Sequence, residues 1–470
     1  MQRPRLPDVA GSSKCLASMA AKSVDDTTNP LRRILQNTTW LLGGKGFGAL
    51  CSIVYLAILT RTLGLKDFGH FSLIFGTAQA LVALAGFQTW RVVVRYGSEH
   101  VHAQQWDQFG RLAMLAGILD LIGAILGCAI AGIAIYGFAD ALSLNPNYID
   151  IAFWFAVASL WSLVSAPTGI VRALHRFDSA VYVEAIVPLG RLLAALWIWH
   201  MGPTVGRFLF AWAAIDLAEA ALYWFTARRL APQAIRFRYL RDWRKALDEN
   251  EGIVRFFLVT YASESLDAVM KNGPLLAVGA FISTRAAGLY RLAAQVTQAL
   301  GKLSTLLTRA VYAEVARARV AAQADEFRKL VLQTTLLATG TGVIVVVIAL
   351  TLGEQLLGLI GGEAFEGGAS ILVPLAVAAS FQLAMVAFEP VLHSTGRAHL
   401  SLFARLASVA ALAVGMILFI PLGPSGAAWA VALGSATAYF VMGILAWRTL
   451  RGLERGEVET IAEADASTVG

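Results

Sequence analysis

Residues 252–283 read GIVRFFLVTYASESLDAVMKNGPLLAVGAFIS. The flanks are apolar enough to cross a bilayer, yet Glu264, Asp267 and Lys271 fall in the middle. At about 100° per residue, the spacing i, i+3, i+7 puts all three within an arc of about 60° on one helix face. A charge at the centre of a membrane helix costs roughly 2.5–3.5 kcal/mol on insertion scales. Three such charges facing lipid would cancel much of the segment's insertion energy, so this face has to meet protein or water. Asp267 and Lys271 also stand i, i+4 in the favourable order, and a local ion pair is the alternative. That pair would leave Glu264 still needing a polar surrounding.

The rest of the chain makes the membrane reading general. Of 470 residues, 57% are hydrophobic and 15% charged, and the mean hydropathy is +0.64. A soluble domain dilutes its core with a polar surface and does not reach this balance. Apolar runs recur near 40–61, 69–95, 110–138, 148–170, 180–201 and 204–228, then near 253–282, 286–316, 328–352, 366–394, 398–421 and 424–449. In lipid such runs must be helices, because every backbone group has to be satisfied internally. The expected fold is all-α and integral to the membrane, with about 12 transmembrane helices.

Loop charges orient the bundle. With the N-terminus inside, the cytoplasmic side collects Arg32, Arg33, Arg91, Arg95, Arg111, Arg172, Arg176 and the basic stretch RRLAPQAIRFRYLRDWRKALDEN at 228–250. The opposite side keeps chiefly Lys66, Arg207 and Arg285. This asymmetry predicts both termini in the cytoplasm and an even number of spans. The net charge of +7 is thereby a topology signal and a match to lipid headgroups. It does not point to nucleic acid, for which the chain has no motif. The first 30 residues lack the apolar core of a signal peptide, and 1–35 and 451–470 read as disordered cytosolic tails.

Other classes are excluded by what the sequence lacks. Cys15, Cys51 and Cys128 form no CxxC or His-rich cluster, so no metal and no cofactor is expected. No nucleotide-binding loop and no nucleophile–base set appears, and the expected protein is not an enzyme.

The two halves repeat at a spacing of about 220 residues. GHFSLIFGTAQALVAL from Gly69 aligns with GLYRLAAQVTQALGKL from Gly288, Arg176 with Arg397, and Gly202-Pro203 with Gly423-Pro424. Six spans per half give parallel repeats related by an axis along the membrane normal. The expected organisation is a lobe at 36–229, a basic linker at 230–252 and a second lobe at 253–450, the two enclosing a central cleft.

Further ionisable residues lie inside spans. Lys302 and Asp120 are central in theirs, and Glu184 and Arg309 lie nearer span ends. Arg191 can pair with Asp216, which shares a helix face with Glu219; this set reads as a structural intramembrane pair. Lys45 lies about five residues inside span one, where it either reaches the cleft or snorkels to headgroups.

The segments LAILTRTLGLKDFGHFSLIFGTAQAL, FQTWRVVVRYGSEH, FISTRAAGLYRLAAQVTQALGKL, YAEVARA, LHSTGRAHLSL and GPSGAAWAVAL resemble polysaccharide biosynthesis proteins of the oligosaccharide-flippase type. These belong to the multidrug/oligosaccharidyl-lipid/polysaccharide exporter superfamily. The resemblance runs from about residue 35 to 450. It implies a flippase that moves undecaprenyl-diphosphate-linked oligosaccharide across the bacterial inner membrane by alternating access, for exopolysaccharide or O-antigen export. It also implies that spans one, two, seven and eight border the cleft. Lys45, Lys271, Lys302 and Arg309 then become substrate-binding cations, and Glu264, Asp267 and Asp120 become coupling or cleft acids. The implied partners are the lipid-linked oligosaccharide, membrane lipids, a polysaccharide polymerase and glycosyltransferases. Two alternatives stay open: a cation-coupled drug antiporter of the same superfamily, and a non-transporting scaffold for polysaccharide assembly.

Overall fold

The computed structural model describes residues 30–139, 144–317, 324–386, 388, 392 and 398–454, with side chains over 46–139, 144–236, 238–302, 332–333, 335–386, 388, 392, 400–449 and 451. Its contacts fall into two units, Met1–Gly48 and Ala49–Gly470. The first contributes helix from Pro30 onward, and the second contains every contact analysed below. Among the described residues there is helix and turn but no strand.

The first helix, α1 (Pro30–Ala85), decides the architecture. A straight helix of 56 residues would be roughly 84 Å long, far more than a bilayer needs. Gly64 breaks it, with φ 70° and ψ 174°. Positive φ is open to glycine at no steric cost. The chain reverses there, because Tyr55 and Phe71 both rest on one ring, Trp212, at centroid distances of 5.5 and 6.1 Å. On a straight helix those two residues would lie roughly 24 Å apart. α1 is therefore a hairpin of two spanning legs. It begins at Pro30, inside the stretch 1–35 read as a disordered tail; proline is well suited to a first helical turn.

The second leg resumes after a break at 86–89 as α2 (Trp90–His102). Next come α3 (Trp106–Gly137), α4 (Ile149–Trp161), α5 (Ser165–Ala173), α6 (Phe177–Glu184), α7 (Ile186–Met201) and α8 (Val205–Leu230). The linker folds into a 3-10 turn at Phe237–Leu240 and the short α9 (Lys245–Asp248). The second half follows as α10 (Ile253–Phe281), α11 (Thr284–Arg317), α12 (Ala324–Gly361), α13 (Ala369–Ala384), α14 (Ala398–Phe419) and α15 (Pro424–Glu454). α15 runs four residues into the stretch 451–470 that was also read as tail.

Nine helical segments are long and apolar enough to span a membrane among the described residues. One of them, Gly46–Ala85, is the α1 hairpin and supplies two legs. α10 and α11 are long enough but carry internal charges. With both legs and these two helices, the nine become twelve. Large apolar side chains point outward all round, among them Phe210, Ile417 and Leu336. A surface of this kind suits acyl chains rather than water.

Successive helices alternate in direction. One end gathers the turns at Gly64, Gly202–Thr204, Ile282–Ser283, Gly362 and Ile420–Gly423; it is called here the Gly64 end. The linker lies at the other. Gly202 and Gly423, matched in the repeat, share positive φ of 95° and 84°. Arg397, the match to Arg176, lies outside the described residues.

Helices of the two halves interlock at the Gly64 end. Gly69 lies so close to α11 that a Cβ would stand 2.2 Å from the Thr284 carbonyl oxygen. A Cβ on Gly288 would meet Gly69 Cα at 3.3 Å, so the matched glycines touch each other. Gly279 receives Leu73 and Gly76 receives Leu275 in the same way. Thr60 Oγ1 donates to the Ile360 carbonyl at 3.1 Å, Arg61 Nη2 to the Leu359 carbonyl at 2.6 Å, and Phe68 packs on Phe365 at 5.7 Å. One continuous core joins Phe68, Phe75 and Trp212 to Leu275, Leu292 and Phe365. Small residues allow this approach, which in lipid must be driven by packing rather than by apolar burial.

Gly69→Ala should therefore lower the apparent melting temperature of the detergent-purified protein, since overpacking costs about 1–3 kcal/mol. Gly340→Ala, where a Cβ meets nothing within 4 Å, should not lower it.

Candidate functional site

The charged face of α10 is dealt with from both sides. Glu264 pairs with Arg91 of α2. Three residues nearer the linker end, Tyr261 Oη donates to the Leu84 carbonyl at 2.6 Å. Asp267 pairs with Arg405 of α14, and not with Lys271 as the i, i+4 spacing allowed. A same-helix pair is worth only a few tenths of a kcal/mol. An arginine reaching in from another helix brings a planar, rigid fork of donors. Both acids are thus matched by arginines.

Lys271 is left on its own. It is exposed, and the positive charges of Arg291 and Lys302 on α11 act on it. Arg291 and Lys302 are eleven residues apart, which brings them to within about 20° on one face of α11. Lys302 is also exposed. No carboxylate pairs with Lys271, Arg291 or Lys302 among the described residues. Gln295, with its amide oxygen turned toward Arg291, accepts from Nη2 at 3.1 Å and Nε at 3.2 Å.

Arg291 lies over the Phe75 ring of α1 at 5.0 Å. Arg191 of α7 lies over the same ring at 5.8 Å. One aromatic side chain is shared by a guanidinium from each half, a contact that gains strength when desolvated. Arg191 is neutralised locally: its Nη2 donates to Asp216 Oδ1 at 2.7 Å. Both side chains of that pair are 13% exposed. Glu219 is half-buried one turn along α8, in the field of Asp216 and Glu184. Glu184 accepts from Tyr223 Oη at 3.0 Å and Arg172 Nη2 at 3.2 Å.

Asp120 sits away from this group. It is 7% exposed. Its Oδ1 accepts from Thr89 Oγ1 at 2.7 Å and its Oδ2 from the Ala166 N–H at 2.7 Å. Ser165 Oγ completes the knot, accepting from the Trp90 N–H at 2.9 Å. These atoms lie where α1 breaks into α2 and where α4 breaks into α5. Broken helices leave orphan N–H groups, and Asp120 supplies an acceptor to one of them. Both of its carboxylate oxygens are thereby engaged at the two breaks.

Lys45 lies in α1 and Arg309 in α11; their side chains lie outside the described residues. Three residues matter that sequence reasoning did not single out: Arg91, Arg291 and Arg405. Arg91 reads as a topology charge, and Arg291 is near a span end. Arg405 lies seven residues into α14 and carried the clearest signal, as an unexplained cation within an apolar run.

Two outcomes are expected. With the native cysteines replaced, a hydrophilic thiosulfonate should label Lys271→Cys and Lys302→Cys but not Ala268→Cys, which is 9% exposed on the same helix as Lys271. Asp120→Ala should lower the apparent melting temperature, because each buried donor it orphans costs about 1–3 kcal/mol; Asp120→Asn, which keeps one acceptor oxygen, should lower it less.

Comparison with known proteins agrees with this architecture. An inward-facing multidrug resistance MATE family transporter of the MOP superfamily superposes with a TM-score of 0.66 at 14% identity, covering 87% of this chain and 96% of that one. The lipid II flippase MurJ, in an inward closed conformation, gives 0.62 at 10% identity, covering 85% and 86%. At these identities the likeness is one of fold. Inner membrane protein YghQ of Escherichia coli (strain K12) is 27% identical over 338 residues, 70% of this chain and 93% of that protein. The model of the polysaccharide biosynthesis protein family matches residues 34–317, well over half of the chain. The chain belongs to the polysaccharide biosynthesis protein family.

Proposed function

We propose that this protein is a flippase for a lipid-linked oligosaccharide, carried on undecaprenyl diphosphate, in a bacterial inner membrane. The lobes are residues 36–229 and 253–450, the termini are cytoplasmic, and the Gly64 end is the outward one. The observation that carries the reading is the cationic group Lys271, Arg291 and Lys302, which no described carboxylate neutralises. A diphosphate needs such cations in a water-accessible crevice while its lipid tail stays in the bilayer. Lys45 and Arg309 lie on the helices that would border the same crevice. Outward movement of an anion is downhill in a cell with a negative interior, by about 2.3 kcal/mol per charge per 100 mV.

The close helix packing at the Gly64 end supports a state open toward the linker end. The antiporter alternative needs free acids for an organic cation. Glu264 and Asp267 are instead matched by Arg91 and Arg405, which favours the flippase. The partners on this reading are the glycosyltransferases that build the substrate and the polymerase that receives it.

Lys271→Ala/Lys302→Ala should insert normally, abolish polysaccharide export and leave lipid-linked sugar accumulating. Full complementation by the double variant would reject the role of these lysines. Resistance to cationic dyes on expression, lost with Glu264→Gln/Asp267→Asn, would favour the antiporter.

A further inference from the structure

At the Gly64 end the two halves meet beside an open polar pocket. The turn at Gly64 and the turn at Ile282–Ser283 flank a cavity of about 580 Å³, whose polar lining is Lys66, His70, Asn145, Ser283, Thr284 and Arg285. Lys66 stands just after the Gly64 break, and Arg285 is the second residue of α11. They are separated by 219 residues, the same offset as the touching glycines Gly69 and Gly288. Each half thus brings one cation, on the first turn of a helix whose positive end points the same way.

A third group faces the space. His70 is 7% exposed. It rests on the Tyr148 ring at 5.4 Å, and neither ring nitrogen has a hydrogen-bond partner among the described residues. Most of the ring is enclosed, while its nitrogens keep access to the pocket, where an acceptor oxygen can reach them. Asp67 is the acid beside it, and the charges of Asp67 and Lys66 both act on the ring. Lys66 and Arg285 are paired with no carboxylate among the described residues, so the lining carries a net positive charge.

We propose that this cavity binds a phosphate group, either free inorganic phosphate or the phosphate of an anionic lipid headgroup. An ammonium and an imidazole from α1 with a guanidinium from α11 suit a tetrahedral group with several acceptor oxygens. The site is separate from Lys271 and Lys302, and its occupancy does not depend on the flippase reading. On that reading it has a consequence: the cations come from opposite halves, so bound phosphate and a closed Gly64 end favour each other.

The test uses the full-length protein in uncharged detergent. Equilibrium dialysis measures radiolabelled inorganic phosphate, and native mass spectrometry counts retained phosphatidylglycerol against phosphatidylcholine. Wild type should hold one of the two phosphate sources. Lys66→Gln/Arg285→Gln should weaken that binding by at least roughly tenfold, the loss expected for removing charge-assisted hydrogen bonds. Lys245→Gln, an exposed linker cation, should leave it unchanged. Arg285→Lys guards against a folding defect in the double variant and should weaken binding partially. Dialysis binding identifies free phosphate; phosphatidylglycerol retained without it identifies a headgroup. Retention of neither by wild type, or wild-type binding by the double variant, overturns the proposal.

Discussion

The close approach of α1 and α11 at Gly69 and Gly288 is the constraint on which the rest of the structure depends. In a bilayer no apolar driving force pushes helices together, since lipid tails are as apolar as leucine. What holds these two is backbone-level contact, possible only where neither residue has a Cβ. From that point Leu73 reaches Gly279, Leu275 reaches Gly76 and Phe68 meets Phe365. The same contact fixes how far apart the two sets of intramembrane charges are. It brings Arg291 to Phe75, and Phe75 to Arg191.

Charge is distributed unevenly around this seam. Both acids on the central face of α10 have an arginine from a neighbouring helix, while Lys271, Arg291 and Lys302 are paired with no carboxylate among the described residues. Pairing offsets part of the desolvation cost of an ion taken out of water, and an unpaired cation in a membrane needs water or an anion to meet that cost. On the proposed flippase reading, an arrangement that neutralises its negative charges and leaves its positive ones favours an anionic substrate. In the first half the logic is reversed. Arg191 is held by Asp216, and Glu184 by Tyr223 and Arg172, so that group is largely self-contained.

Much of the fold was legible in the sequence because membrane helices are written in long apolar runs, and because the repeat fell on glycines with backbone roles. Gly202 and Gly423 needed positive φ, and Gly69 and Gly288 needed to be bare. The charged face of α10 was equally plain from its spacing. The partners of that face were not. Arg91 and Arg405 lie 173 and 138 residues from the acids they meet, and no local period encodes such a pairing. Asp120 was hard to read for another reason. It serves a backbone N–H exposed by a helix break, and neither break at 86–89 nor at 162–164 is marked by an internal proline. Spacing alone therefore could not show that both of its oxygens are engaged at helix breaks.

The ring of Phe75 has a mechanical meaning. It is wedged between guanidinium groups that belong to opposite halves, and it can keep only one of them if those halves part at this depth. Contacts of this type are worth about 0.5–2 kcal/mol each, enough, on the alternating-access reading proposed above, to bias the equilibrium between states but too little to freeze it. On that reading the side chain acts as a detent, a shallow notch that gives the molecule a preferred resting position.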